Sequence, residues 1–388
     1  MPDSFASPSM FEPVRVGAWQ LPNRVVMAPL TRNRAPAQMP TPLMATYYAQ
    51  RAHPQTGAGL IITEGTPICP EGHGYSDTPG IHSAEQIEGW KAISGAVHAQ
   101  GGHIVMQLWH VGRVSHVDLL PGGQAPVAPS AVRANAKTYL IKGEPGLRVG
   151  ALVDTSEPRA LKLEELPALV QTFRQAARNA IDAGMDGIEL HGANGYLLDQ
   201  FLRTKSNRRT DAYGGSIENR ARLLLEVLRS ICGEIGSNRV GVRLSPVTEG
   251  NGIVVDADTQ ALFEYVTREL APLGLAYVHL IEGQAGGARD HKPFDYAAVL
   301  RSYREAGGQG AWMVNNGYDL ALAQQALISG ADLVAFGKRF LANPDLTRRL
   351  RQGGPFNEPD RATFYGGDWP EKGYTDYPTL ASLTSLAS

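Results

Sequence analysis

Short apolar runs of strand length recur along the chain, and most are followed by a stretch whose apolar residues return with helical spacing. Eight such runs stand out, at 24–28, 59–63, 104–109, 187–191, 240–245, 277–282, 313–316 and 333–337. Several are apolar throughout, as strands buried on both faces of a parallel sheet are. Helices are predicted over 83–101, opened by Ser83 and closed by Gly101-Gly102, and over 163–184. The second carries a stripe of Leu166, Leu169, Val170, Phe173, Ala177 and Ile181. Further helices are predicted over 216–235, 319–330 and 344–350. Strands alternating with helices imply βαβ units and parallel pairing. Eight of them point to an α/β fold in which a closed (β/α)8 TIM barrel forms one domain spanning 1–388.

Three segments stand outside the repeat. Residues 14–22 read as a β-hairpin around Gly17-Ala18 that plugs the bottom of the barrel. Residues 114–159 are too long for a βα connection and are expected to form an insertion or lid on the catalytic rim, after strand three. Residues 354–388 read as a C-terminal segment folded over the rim. No Gly-x-Gly-x-x-Gly follows the first strand, which weakens a dinucleotide-fold alternative.

Composition narrows the function classes. The chain is 43% hydrophobic and 19% charged with a formal net charge of -2, so nothing electrostatic favours nucleic acid or acidic membranes as partners. Cys69 and Cys232 are the only cysteines and lack metal spacing, so no metal site is expected and a reduced, cytoplasmic setting fits. The first ten residues lack the character of a signal peptide, and no run reaches the roughly 18 apolar residues of a membrane span.

Chemistry concentrates where strands end, the face on which barrels bind and react. After strands seven and eight come Asn316-Gly317 and Phe336-Gly337-Lys338, glycine turns at the customary phosphate loops, with a cation beside them. Gln107 and Arg243 interrupt apolar strands and need polar partners; a satisfied core amide and a structural ion pair are the plain alternatives. Thr31 follows strand one, where a turn or cap would also explain it. His191, Asn194 and Tyr196 crowd the loop after strand four. The first two are donors able to steady a developing oxyanion, and Tyr196, with an ordinary pKa of about 10, can supply a proton. The alternative is that they serve only their own loop.

These residues sit within motifs that resemble the old yellow enzyme family over almost the whole length. The shared segments are 21–32, Gln107-Leu108-Trp109-His110-Val111-Gly112-Arg113, 191–201, 207–220, 336–346 and 373–378. Within the family, the chain is most similar to the bacterial branch that contains morphinone reductase and pentaerythritol tetranitrate reductase. The resemblance implies a barrel holding FMN non-covalently and reduced by NADPH or NADH. Ala28, Pro29, Leu30, Thr31 and Gly65 would line the isoalloxazine, Gln107 its pyrimidine edge and Arg243 its N1 and O2. Asn316, Gly317, Phe336, Gly337 and Lys338 would form the phosphate end. An activated alkene (an α,β-unsaturated carbonyl, a maleimide or a nitroalkene) would then take the same pocket in ping-pong fashion. His191 and Asn194 would polarise it, Tyr196 would protonate it, and Tyr75, Trp109 and Tyr365 would shape the walls. Action mainly on nitrate esters or nitroaromatics is the alternative within the family.

Lys338 stands where many members carry Arg, Asn194 is His in some relatives, and Tyr196 is kept where some have lost it. The expected assembly is a monomer or homodimer. Two readings from other classes compete. A flavin-free aldolase or isomerase would need a Schiff-base lysine or a rim carboxylate, and only Glu282 offers itself. A non-catalytic flavin-binding protein would have no use for the His191, Asn194 and Tyr196 trio.

Overall fold

The computed structural model describes residues 9–142, 149–366 and 370–382. Parts of three predicted segments lie outside them: 1–8 of the N-terminal stretch, 143–148 of the rim insertion, and 367–369 and 383–388 of the tail.

Eight strands run in parallel: β1 (Val25–Met27), β2 (Leu60–Ile62), β3 (Ile104–Trp109), β4 (Gly187–Gly192), β5 (Val240–Leu244), β6 (Tyr277–Ile281), β7 (Ala311–Asn315) and β8 (Leu333–Phe336). Each pairs with the next, and β8 pairs with β1, so the sheet closes into a barrel. All eight predicted strands form, with ends shifted by a residue or two. Around them lie α1 (Pro42–Ala49), α2 (Ala84–Ala99), α3 (Leu166–Asp182), α4 (Ile217–Ile235), α5 (Thr259–Leu270), α6 (Tyr296–Glu305), α7 (Leu320–Ile328) and α8 (Leu346–Gln352). Helix starts follow local chemistry. Ser83 and Gln86 form a reciprocal capping box, and Ser216 and Asp319 accept from the backbone at the starts of α4 and α7.

Side chains alternate across each strand. Outward residues such as Met106, Leu108, Ile188, Leu190, Val242 and Val278 join the helices in one large core. Inward residues Val26, Leu60, Val105, Tyr277, Ala311 and Leu333 close on Val16, Trp19 and Leu21. Those three come from the antiparallel hairpin Val14–Val16 and Trp19–Leu21, which plugs the barrel bottom as predicted.

The rim insertion is more ordered than the sequence suggested. Its strands Lys137–Lys142 and Val149–Asp154 pair antiparallel. Thr138 donates through its hydroxyl to the Gly74 carbonyl, and Ser76 N–H donates to the Tyr139 carbonyl at 2.9 Å. That fixes the hairpin beside Tyr75. The C-terminal segment is tied to the loop after β1 by arginines. Arg32 donates to the Phe364 and Gly373 carbonyls at 2.8 and 2.7 Å, and Arg34 to that of Pro370 at 2.8 Å. Tyr374 stacks on Tyr47 at 4.0 Å.

Candidate active site

The loop after β4 is held rigid from below. Gly195 N–H donates to Asp199 at 2.9 Å, and Asp199 is itself paired with Arg203 at 2.7 Å, both fully buried. Gln200 donates to the Gly195 and Val111 carbonyls. Asn194 adopts φ +57°, a left-handed conformation that asparagine tolerates, and its N–H donates to the Ser245 hydroxyl at 2.7 Å. This bracing presents His191, Asn194 and Tyr196 at one edge of the barrel mouth.

Ala193 N–H donates to His191 Nδ1 at 3.3 Å. An accepting Nδ1 places the ring proton on Nε2, which has no protein partner among the described residues. Burial, with Arg243 and His279 adding to it, pushes the His191 pKa well below its ordinary value. The imidazole is therefore a neutral donor. Tyr196 shares a hydrogen bond with Tyr75, OH to OH at 3.1 Å, and burial raises its pKa, so it keeps its proton. Trp109 lies between them: its ring is 4.8 Å from Tyr196, 5.7 Å from Tyr75 and 6.2 Å from His191. Gly65 explains why the indole can lie there, since a Cβ at this position would come within 2.6 Å of Trp109 Cε3.

Beneath this rim, Gln107 donates through Nε2 to Glu189 at 2.8 Å, and Glu189 accepts from His279 Nδ1 at 2.7 Å. Arg243 donates to Asn315 Oδ1 at 2.8 Å. Burial lowers its pKa, opposed by the charge of Glu189; the guanidinium stays cationic. Across the barrel, Leu30 packs against Gly337, whose Cβ would sit 3.4 Å from Leu30 Cδ2. Lys338 donates to the Gly286 carbonyl at 3.3 Å. Gly317, at φ +67°, faces the Arg289 side chain.

The structure therefore gathers the predicted residues into two adjoining groups. Tyr75, Gln107, Trp109, His191, Asn194, Tyr196 and Arg243 lie on the β3–β5 side. Ala28, Pro29, Leu30, Thr31, Gly317, Gly337 and Lys338 lie on the β7–β8–β1 side. Phe336, Asn316 and Tyr365 complete the predicted set. The Phe336 side chain turns outward into the helix-facing core, and its carbonyl accepts from Ala28 N–H. Asn316 uses its side chain to hold the loop after β6, donating to the Glu282 and Gln284 carbonyls and accepting from Gly286 N–H. Tyr365 is 55% exposed, 6.4 Å from Tyr139 of the insertion, and close enough to Tyr75 and Tyr196 to act on both phenols, so it stands at the mouth of the same pocket.

Sequence reasoning missed Glu189, His279 and Arg289. The first two interrupt apolar strands just as Gln107 and Arg243 do, so the same criterion would have found them. Arg289 pairs with Glu282 and donates to Tyr318 at 2.9 Å, beside Gly317; its loop carries no strand or helix signal.

Among the described residues, Trp109 Nε1, Asn194 Oδ1 and Arg243 Nε are buried without partners. Unpaired polar atoms around one mouth, with glycine turns and a cation at its far edge, fit a flat heterocycle carrying a phosphate. Among the described residues there is no cluster able to hold a metal ion, and no helix is long and apolar enough to cross a membrane.

Comparison with known proteins agrees with that geometry. Residues 9–357 match the model of the NADH:flavin oxidoreductase / NADH oxidase family. The chain is 42% identical over 376 residues to 12-oxophytodienoate reductase 1 of Oryza sativa subsp. japonica, spanning 96% of this chain and 94% of that one. Morphinone reductase in complex with tetrahydroNAD superimposes with a TM-score of 0.88 at 48% identity, covering 96% of this chain and 98% of the other. The old yellow enzyme homologue from Zymomonas mobilis gives 0.85 at 41%, covering 96% and 100%.

Proposed function

The chain belongs to the NADH:flavin oxidoreductase / NADH oxidase family, and from that premise we propose that it is an FMN-dependent ene-reductase, using NAD(P)H to reduce alkenes activated by a carbonyl or nitro group. The observation that carries the reading is the pairing of a neutral, Nε2-protonated His191 with a protonated Tyr196, their rings 5.1 Å apart over Trp109. One group polarises an oxygen and the other gives up a proton, which is what reduction of an enone needs from a protein. The relatives support the substrate class by name, as reductases of 12-oxophytodienoate and morphinone, and the tetrahydroNAD complex supports a nicotinamide donor.

FMN would be held non-covalently. Ala28, Pro29, Leu30, Thr31 and Gly65 line its ring system, Gln107 and Arg243 its pyrimidine side, and Gly317, Gly337 and Lys338 its phosphate. Bound there, it supplies a two-electron relay that takes hydride from the nicotinamide and delivers it to the β-carbon of the alkene. The chain does the rest. His191 Nε2–H and the Asn194 amide donate to the substrate oxygen and stabilise the charge that grows on it. Tyr196 holds a proton at its hydroxyl for the α-carbon, and Tyr75 keeps that hydroxyl in place. Trp109 and the Tyr139–Tyr365 pair wall the mouth against water. One pocket serves donor and acceptor in turn, so ping-pong kinetics follow.

The test is anaerobic stopped-flow on the purified protein, mixing with NADPH and then with cyclohexenone while following flavin absorbance. Bleaching by the first and recovery with the second is the expected result. Flavin that bleaches but is not reoxidised by any activated alkene would reject the substrate class. A protein that neither carries nor takes up FMN would reject the cofactor and return the flavin-free aldolase or isomerase to consideration.

A further inference from the structure

The barrel interior holds a carboxylate that the reading above does not use. Glu189 projects inward from β4, in register with Gln107 on β3 and Gly241 on β5, and is fully buried. Both its oxygens are engaged, one by Gln107 Nε2 at 2.8 Å and the other by His279 Nδ1 at 2.7 Å. Gly241 makes room below: a Cβ there would fall within 2.1 Å of the Tyr277 ring, which crosses β5 on this side. Four groups face the carboxylate: Gln107 from β3, Arg243 from β5, and Tyr277 and His279 from β6.

Two consequences follow. Gln107 can turn its amide either way in a symmetric surrounding, but a carboxylate accepts only from the NH2 end. Oε1 is therefore the end left free for the pocket, where it can accept a hydrogen bond but not give one. The pyrimidine edge of a flavin offers a matching N3–H donor. The second consequence concerns charge. Arg243 forms no ion pair among the described residues; its hydrogen bond goes to the neutral Asn315. Glu189 is the carboxylate whose charge it feels. The two are separated by one pair of residues along adjacent strands, inside a medium that screens poorly. Burial alone would raise the Glu189 pKa, but His279 and Arg243 hold it below the usual carboxylate range, while burial lowers that of His279. The pair is thus an anion receiving a hydrogen bond from a neutral imidazole.

We propose that Glu189 is a positioning residue for the bound flavin: it orients Gln107 and offsets Arg243, and thereby sets how readily the cofactor is reduced. The proposal rests on the FMN reading above. Reduction by hydride adds negative charge to the ring system, and Arg243 favours that charge. Glu189 opposes it from behind, which keeps the reduced flavin a strong enough donor to pass hydride on. A purely structural need would not require a carboxylate here. The opposite wall of the same barrel is filled by Ile62 and Met313 without any charge, and a buried charge is costly in itself.

The test compares wild-type, Glu189→Gln and Glu189→Asp holoenzymes by dye-equilibrated redox titration and by separate half-reaction rates. Glu189→Gln keeps the shape and removes the charge. At a fixed potential it should raise the ratio of reduced to oxidised flavin threefold or more, speed reduction by NADPH and slow reoxidation by cyclohexenone. Glu189→Asp keeps the charge and should stay near wild type. An unchanged or lowered ratio in Glu189→Gln, or equal shifts in both variants, overturns the proposal. Should Glu189→Gln fail to fold, His279→Leu serves instead. It removes one donor to the carboxylate, which then takes a proton at higher pH. The reduced fraction should exceed that of wild type on the acid side and rejoin it on the alkaline side, and parallel pH profiles would overturn the idea. If wild type itself binds no FMN, the proposed function falls with it; normal flavin in wild type and no shift in the variants rejects only the role of Glu189.

Discussion

The two halves of the barrel interior could hardly differ more in chemistry. On the side built from β7, β8, β1 and β2, inward positions carry Met313, Leu333, Ala335, Val26, Ala28, Leu60 and Ile62, apolar and packed together, with Asn315 at the end of β7 as the polar exception that meets Arg243. On the side built from β3 to β6 they carry Gln107, Glu189, His191, Arg243, Tyr277 and His279. Backbone pairing is the same throughout, so the sheet does not need that polarity. Among the described residues, Trp109 Nε1, Arg243 Nε and His279 Nε2 are left buried without a partner on the polar side. Leaving such groups unpaired costs stability. The apolar half supplies shape, including the wall proposed to face the flavin ring, and the polar half trades stability for hydrogen-bonding groups that a ligand can complete.

The largest effect expected from breaking this division is at His191. Replacing it with Ala removes the donor aimed at the substrate oxygen, and loss of one such donor slows turnover by about 100- to 1000-fold. Reoxidation by cyclohexenone should fall by that much while reduction by NADPH falls far less. Equal losses in both halves of the cycle would mean that His191 serves flavin binding instead. Tyr196→Phe comes next. Positioned proton donors contribute about 100-fold or more, but solvent can substitute for part of this, so a loss of about tenfold or more in the reoxidation rate is expected. Full turnover in the variant would remove Tyr196 from the mechanism.

What could be read in advance follows the same division. The strands were legible because burial on both faces makes them continuous apolar runs, and the hairpin 14–22 because of its short apolar arms. The chemistry was legible where a polar residue broke such a run, as at Gln107, Arg243 and His191. Glu189 and His279 break runs too, yet only the fold shows that Glu189 receives hydrogen bonds from both Gln107 and His279. The α5 and α6 helices were not predicted as helices. The insertion hairpin escaped because Pro, Gly and Ala around it dominate the composition, although buried Thr138 and Leu140 alternate with less buried neighbours as a half-buried strand should. Phe336 and Asn316 mark where such reading stops. A motif identifies a loop, while the direction of each side chain depends on strand pleat and on the needs of the neighbouring loop.

Two buried carboxylates sharpen the comparison. Glu189, in the polar half, is held low. Glu64 follows β2 on the apolar side, where burial pushes its pKa up to about 7 against Arg32, Tyr48 and Arg34, which lower it. The folded protein thus keeps a proton on Glu64 that the unfolded chain releases near its ordinary value of 4.5. Stability from this group is full below about pH 4.5 and is lost as pH rises to about 7, by roughly 3 kcal/mol. Thermal melts should show Glu64→Gln gaining on wild type from pH 5 to 8. Parallel curves would place the Glu64 pKa near its ordinary value. A milder probe of the same half is Ile62→Val, which should cost about 1 kcal/mol and leave the flavin potential where it was. A shifted potential there would dissolve the distinction between scaffold and site.

The smallest effect is expected at the rim of the apolar half, where Lys338 is its one contribution of charge to the proposed phosphate end. An ammonium meets phosphate as a point charge, whereas a guanidinium can grip two oxygens at once. Lys338 is exposed and already donates to the Gly286 carbonyl, so its hold on an anion is shared with the loop after β6. Lys338→Arg should tighten FMN by more than about twofold and leave riboflavin, which lacks the phosphate, unchanged. Apoprotein titrated with the two flavins measures both constants. A gain smaller than that, or one that riboflavin shares, would mean that the backbone at Gly317 and Gly337 carries the phosphate without help from position 338, and that the apolar half contributes shape alone.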